Sequence, residues 1–424
     1  MWVIFPTRRQ VSKMSRHSFL QRRCHWRRTT LALLLAGSTP LLAADDLATA
    51  LANGDASLAL RLRHEQVDTE GNPRDAQATT LRTRLGYVSG RWHNLDAQLE
   101  FDHVAHLFDA RFNDTRNGNL NYPLVLDPKG TDLNQAVLRY HQEQLTLAAG
   151  RQRILYDNQR FIGNVGWRQN EQTYDAVRLT LQPLSTLTLD VSWIDNTRRI
   201  FGPEDGPAPR EAQLDSNHHL VNLAWQHSPA LQASAYLYAL DFADSPALSS
   251  RTAGLALKGE MKREDTALIY HAEAARQQDH GDNAVDYRAP YHLFTLGVRY
   301  RGAQLSLHQE RLGADRDQLI GFSTPLATAH AFQGWADVLT TTPINGIVDN
   351  YLTLAGTLRN TSLQAVWHEY SPDLGSGTYG TELNLLASRT FARRYTLTAK
   401  FADYRAEDFA VDNTRVWVMA EASF

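Results

Sequence analysis

Cysteine is all but absent. The single Cys24 lies in a basic leader, so the chain beyond residue 44 has no disulfide, reactive thiol or cysteine-ligated metal. Past that leader no run of ~18 apolar residues occurs, which excludes a transmembrane helix. No low-complexity linker, composition break or long charge run divides the remaining 424 − 44 = 380 residues into separate domains. Compact catalytic text is missing as well: there is no GxSxG and no HExxH. His218 and His219 form an isolated pair at a strand start, a thin basis for a metal site. No cofactor is implied.

What is present begins with export. Residues 1–28 hold eight basic residues and no acid, and the apolar run TTLALLLAGSTPLLAA follows. This predicts a secretory signal peptide over residues 1–44, cut after Ala43 or Ala44. Its removal takes the formal charge from −3 to −3 − 8 = −11, which argues against nucleic acid as a partner.

The rest of the chain, 45–424, reads as short alternating segments. Leu58, Leu60 and Leu62 oppose Ala59, Arg61 and Arg63; Leu95, Ala97, Leu99 and Phe101 oppose Asp96, Gln98, Glu100 and Asp102. Leu187, Leu189, Val191 and Trp193 alternate with Thr186, Thr188, Asp190 and Ser192, and Tyr395 to Phe401 repeats the pattern. Period 2, not 3.6, means strands. About 18 such segments occur, an even number as bacterial outer-membrane barrels require. The gaps between them alternate in length: SGRWHN, HQEQ, QPLS, SPA and RNTS are short, whereas 103–131, 154–172, 196–217 and 313–347 are long. Periplasmic turns and extracellular loops give that rhythm, with both termini periplasmic. The expected fold is therefore all-β, a single transmembrane antiparallel up-and-down β-barrel in the bacterial outer membrane. A plugged transporter is not expected, because the first strand starts about 15 residues past the cleavage site and leaves no room for a plug domain.

The last strand ends on Phe424, with Ala422, Ala420, Val418 and Val416 on one face. It should close against the strand beginning near Ala56, turn its ring to lipid, and serve the barrel-assembly machinery as a terminal aromatic. Trp92, Trp167, Trp193, Trp225, Trp335, Trp367 and Trp417 are candidates for an aromatic girdle.

If leucine faces lipid, then Arg61, Arg63, Arg82, Arg84, Arg139 and Arg178 face the lumen, as do Asp96, Glu100, Asp102, Asp190, Lys258 and Glu310. The opposite placement would cost ~2–4 kcal/mol for each arginine at mid-depth. Four arginines on the first two strands repel one another, and the third strand offers Asp96, Glu100 and Asp102 in answer. Arginine facing carboxylate across water makes a selectivity ring. The same residues could instead form a salt-bridge lattice that stiffens the wall. Arg151 and Arg153 share the parity of Leu145 and Leu147, so they must sit above the membrane or beyond a bulge.

Two loops mix aromatics, amides and charge: Gly150–Arg178, with Arg160, Trp167 and Arg168, and Gly321–Asp349, with Trp335. Their RQR…YDNQRFIG…GWRQNEQTYDAVR and GF…PLATAHAFQGWAD…TTP blocks resemble the outer-membrane alginate export porin family. The resemblance implies an 18-stranded barrel whose arginine-rich constriction passes an anionic uronate polymer and is gated by an inward loop. The function expected is a channel for passive, selective passage of anionic solutes, acidic sugars or polysaccharide, handed on by periplasmic secretion partners. Two alternatives stand beside it: a general small-solute porin, and a barrel enzyme of the lipid-hydrolase type.

Overall fold

A computed structural model describes residues 43–204 and 210–424. The expected leader therefore lies, apart from its last two residues, outside the described residues. A helix, Ala43–Ala52, precedes the first strand, Asp55–Thr69. Among the described residues one antiparallel sheet holds 18 strands. It closes because the first strand pairs with the second, Ala76–Val88, and also with the last, Asn413–Ser423. The Phe424 amide donates to the Leu58 carbonyl at 2.9 Å, and the Leu58 amide donates back at 3.0 Å. The Phe424 ring stays half exposed, edge-on to Tyr395.

The two ends of the barrel differ as the gaps foretold. At one end the chain reverses at 143–144, 185–186, 229–230, 264–265, 301–302 and 359–360. Arg301 and Gly302 take φ of 47° and 88°, and Arg359 and Asn360 take 49° and 64°. Two positive φ values in succession define the turn whose twist matches paired strands. The other end carries the loops 107–129, 153–172 and 313–346, with the described segments 199–204 and 210–212. The gap after the first strand, expected over VDTEGNPRDAQA, shrinks to 70–75, because its flanking residues simply continue the two strands.

The sheet is inside-out by soluble standards. Leu255 and Leu307 are 66% and 61% exposed, whereas Arg63 is 0% exposed. A continuous leucine band around a wall that buries its arginines inward suits lipid outside and polar groups within. Trp193, Trp225 and Trp367 lie on the outer face; Tyr300, Phe391, Tyr395 and Phe424 crowd its short-turn rim. Trp167, Trp335 and Trp417 are no part of that girdle. They sit inside the barrel, two on inward loops and one on the inward side of the last strand.

The lumen holds more than the charged residues expected there: Ile154, Phe161, Ile162, Phe322, Leu326 and Leu339 from two loops pack with inward Tyr236, Tyr238 and Tyr291 into an apolar core. The chain needs no separate plug domain, because loops of this length can fold back into the bore and bury their own apolar residues there.

Candidate functional site: the arginine wall and its inward loops

Alternation puts the four arginines of the first two strands inside, and register sets Arg61 directly opposite Arg82. Like charges so placed repel, so each must find an acid. Arg84 meets Asp102 through two bonds of 2.7 and 2.6 Å, with Glu100 at 3.4 Å and Glu171 at 2.8 Å. Arg82 has Glu171 at 3.6 Å. Arg61 takes Glu421 at 2.7 Å and also donates to the carbonyl of Gly166. Arg63 takes Asp127 at 3.3 Å and lies 4.2 Å from the Trp167 ring centre.

The third strand thus answers only part of this charge. Asp96 lies elsewhere, opposite Arg139 in the register and bonded to it at 2.7 Å, with His141 at 2.5 Å. Arg178 forms a further separate pair with Asp190 at 2.6 Å. The remaining counter-charge comes from the last strand and from loops: Glu421, Asp127 and Glu171. Arg153, just past the end of strand Leu145–Gln152, turns inward and bonds both Glu100 and Glu171. Arg151 remains with Asp175 at 2.8 Å.

Loops 153–172 and 313–346 meet inside the bore. The Gly163 amide donates to the Leu326 carbonyl at 2.9 Å, and the Thr328 amide to the Gln159 carbonyl at 3.1 Å. Arg160 crosses to Glu310 at 2.7 Å and to Gln333 at 2.9 Å. Arg168 reaches Asp337 at 2.6 Å and Glu65 at 3.2 Å. Val165 holds a left-handed φ of 51°, a strained geometry for a β-branched residue; its amide donates to the Thr328 hydroxyl at 3.1 Å.

The loops also enclose a cation from the wall. Lys400 Nζ lies 4.1 Å from the centre of Trp167 and 3.9 Å from that of Trp335, with Trp417 at 5.5 Å. It sits 2.7 Å from His330 Nε2, while His330 Nδ1 lies 2.8 Å from Asp337. That geometry suits a neutral imidazole, protonated on Nδ1, that accepts from the ammonium. Burial, reinforced by Lys400, pushes the His330 pKa down to about 3. Burial opposes ionisation of Glu171, yet Arg84, Arg153 and Arg82 outweigh it and bring its pKa down to about 2.

Across the lumen the wall is different. His308, Tyr351, His368 and Tyr370 stack with ring centres 4.1, 4.8 and 5.4 Å apart. Beside them Glu310, Asp349, Gln333 and Trp335 help line a cavity of about 320 Å³. His218 and His219 point to opposite sides of the sheet, one buried and one exposed, so they cannot share an ion.

Sequence reasoning missed Asp127, Glu171, Asp337, His330 and Lys400 as parts of this site. Glu171 stood inside the loop text, but nothing in the text tells which arginine a loop acid meets.

Residues 56–338, well over half of the chain, match the family model described as "Alginate export". The chain belongs to the alginate export family. No curated protein matches. Among solved structures the alginate export chain is similar to OccAB4 of Acinetobacter baumannii, with a TM-score of 0.69 at 13% identity, covering 88% of this chain and 98% of that one. It is similar to OccK9 (OpdG) of Pseudomonas aeruginosa, with a TM-score of 0.69 at 14% identity, covering 88% and 100%. It also resembles Pseudomonas aeruginosa OpdK, solved with vanillate, with a TM-score of 0.68 at 12% identity, covering 88% and 99%. At such identities the likeness speaks for the barrel fold. Family and fold together make this alginate export chain an outer-membrane channel barrel.

Proposed function

We propose that this chain is a selective outer-membrane channel for anionic solutes, with acidic sugars or their polymers as the substrate class. The observation that carries this reading is the row of inward arginines on adjacent strands, Arg61, Arg63, Arg82 and Arg84, joined at the same wall by Arg153 and Arg168. Within roughly one Debye length, ~8 Å in physiological salt, such a cluster acts on a passing solute despite the negative total charge. Much of its counter-charge rides on loops, so the wall is electrically quiet while they are seated and attractive to anions when they shift. Passage on this reading requires movement of loop 153–172, the gate of the channel.

The test is ion selectivity of the purified full chain in a planar bilayer. The parent should favour anions, and the double variant R82Q/R84Q should shift the reversal potential toward cations and weaken block by glucuronate. A double variant that conducts and discriminates like the parent would make the arginines wall struts and leave a general small-solute porin.

A further inference from the structure

Around Arg84 the structure gathers three guanidiniums and three carboxylates: Arg82, Arg84 and Arg153 with Glu100, Asp102 and Glu171. Two of those acids, Glu100 and Asp102, belong to strand Leu95–His106 and are fixed in the wall. Glu171 alone belongs to a loop. Its carboxylate lies 2.8 Å from Arg84 Nη2 and 3.6 Å from Arg82 Nη1, it accepts from Arg153, and Asn134 Nδ2 stands at 3.3 Å. Three cations and an amide converging on one carboxylate form an anion cradle.

The cradle is built but not satisfied. Arg82 is only 5% exposed, yet its Nε and Nη1 lack hydrogen-bond partners. A buried guanidinium with donors left over favours any acceptor that reaches it. Arg84 and Arg153 keep 13% and 21% of their side chains exposed, an edge from which a solute can approach.

We propose that Arg82, Arg84, Arg153 and Asn134 form a binding site for the carboxylate of a solute, and that Glu171 occupies it as a built-in competitor. Resting on the anion-channel reading, this names the group recognised and the residue that withholds the site. Glu171 and Arg153 stand at the two necks of loop 153–172 and hold them together. Exchange of Glu171 for a solute carboxylate breaks that tie, so loading of the site and release of the loop become one event. With Glu171 displaced, the local balance of three against three becomes one positive charge in excess.

The experiment uses the full chain, with glucuronate as the probe and glucose as its neutral counterpart. E171Q keeps the shape of the side chain and removes its charge, so the glucuronate concentration for half-block should fall about tenfold while the response to glucose stays put. In detergent, glucuronate should also raise the melting temperature of E171Q more than that of the parent. E171D, which keeps the charge but retracts it from Arg84, should fall between the two, and serves if E171Q assembles poorly. A parent that prefers glucuronate over glucose, with variants that block and melt identically to it, overturns this inference and leaves the anion channel standing. If neither parent nor variants separate glucuronate from glucose, both readings fall.

Discussion

On the wall built from residues 55–106, Arg84 faces Asp102, Glu100 and Glu171, and Arg168 from the loop above touches Glu65 and Asp337. Across the bore Glu310 has one guanidinium, Arg160, and the surroundings are Tyr291, Tyr351 and stacked imidazoles. One wall spreads charge over a mesh; on the other Glu310 has one guanidinium among aromatic rings, and Asp349 pairs separately with His368 at 2.9 Å. A mesh tolerates the loss of one member, since the rest redistribute. A lone buried pair does not, because the survivor is left ionised without a partner. The same arginine–carboxylate chemistry can therefore make either a tunable surface or a rigid anchor, and this barrel has both, joined by loop 153–172.

The largest effect should come from the lone pair. E310Q leaves Arg160, itself 3% exposed, with the Gln333 amide but no carboxylate, and should destabilise the seated loop by about 3 kcal/mol. Limited proteolysis within 153–172 would register this, and resistance equal to the parent's would show that Arg160 has other support. D102N on the mesh should cost less, about 1–2 kcal/mol, because Arg84 keeps Glu100 and Glu171. Thermal unfolding of the two variants side by side breaks the comparison if D102N proves the costlier.

W167A removes the ring between Arg63 and Lys400, and about 1–2 kcal/mol of cation–π attraction should go with it. The expected sign is higher conductance, since this ring pins loop 153–172 to the arginine wall. Unchanged conductance with a normal melting temperature would put the pin elsewhere.

Acid sharpens the contrast further. His330 has a folded pKa of about 3 against 6.5 unfolded, so between those values the unfolded chain binds the extra proton and stability falls as pH drops. Glu171, about 2 against 4.5, adds a second loss as pH falls from 4.5 toward 2. Melting temperature followed from pH 7 to 3 should decline, and H330Q should flatten the upper part of that decline. A parent profile with no slope between pH 6.5 and 4.5 would contradict the neutral His330.

The smallest effect is a gain. V165G relieves the left-handed φ of 51° and should stabilise by no more than about 1 kcal/mol, because the glycine also loosens the unfolded chain. A clear loss in melting temperature would mean that the valine side chain matters more than its backbone.

Strand positions were legible in the sequence because their physics is local. Period 2 puts Leu307 outside and Glu310 inside with no knowledge of the neighbouring strand, and two-residue turns against long loops assign the two ends. Arg61, Arg82 and Arg84 could be placed in the lumen on that basis alone. The rule stops where a strand stops. Past Gln152, parity no longer tells that Arg153 turns inward, and no pattern tells that Trp167 and Trp335 leave the lipid girdle to enclose Lys400. Partners were decided only by the closed barrel: Arg61 meets Glu421 from the far end of the chain, and Arg160 meets Glu310 across the bore. Closure brings distant segments within a few ångströms, and charge then selects among them by distance, which sequence order does not record.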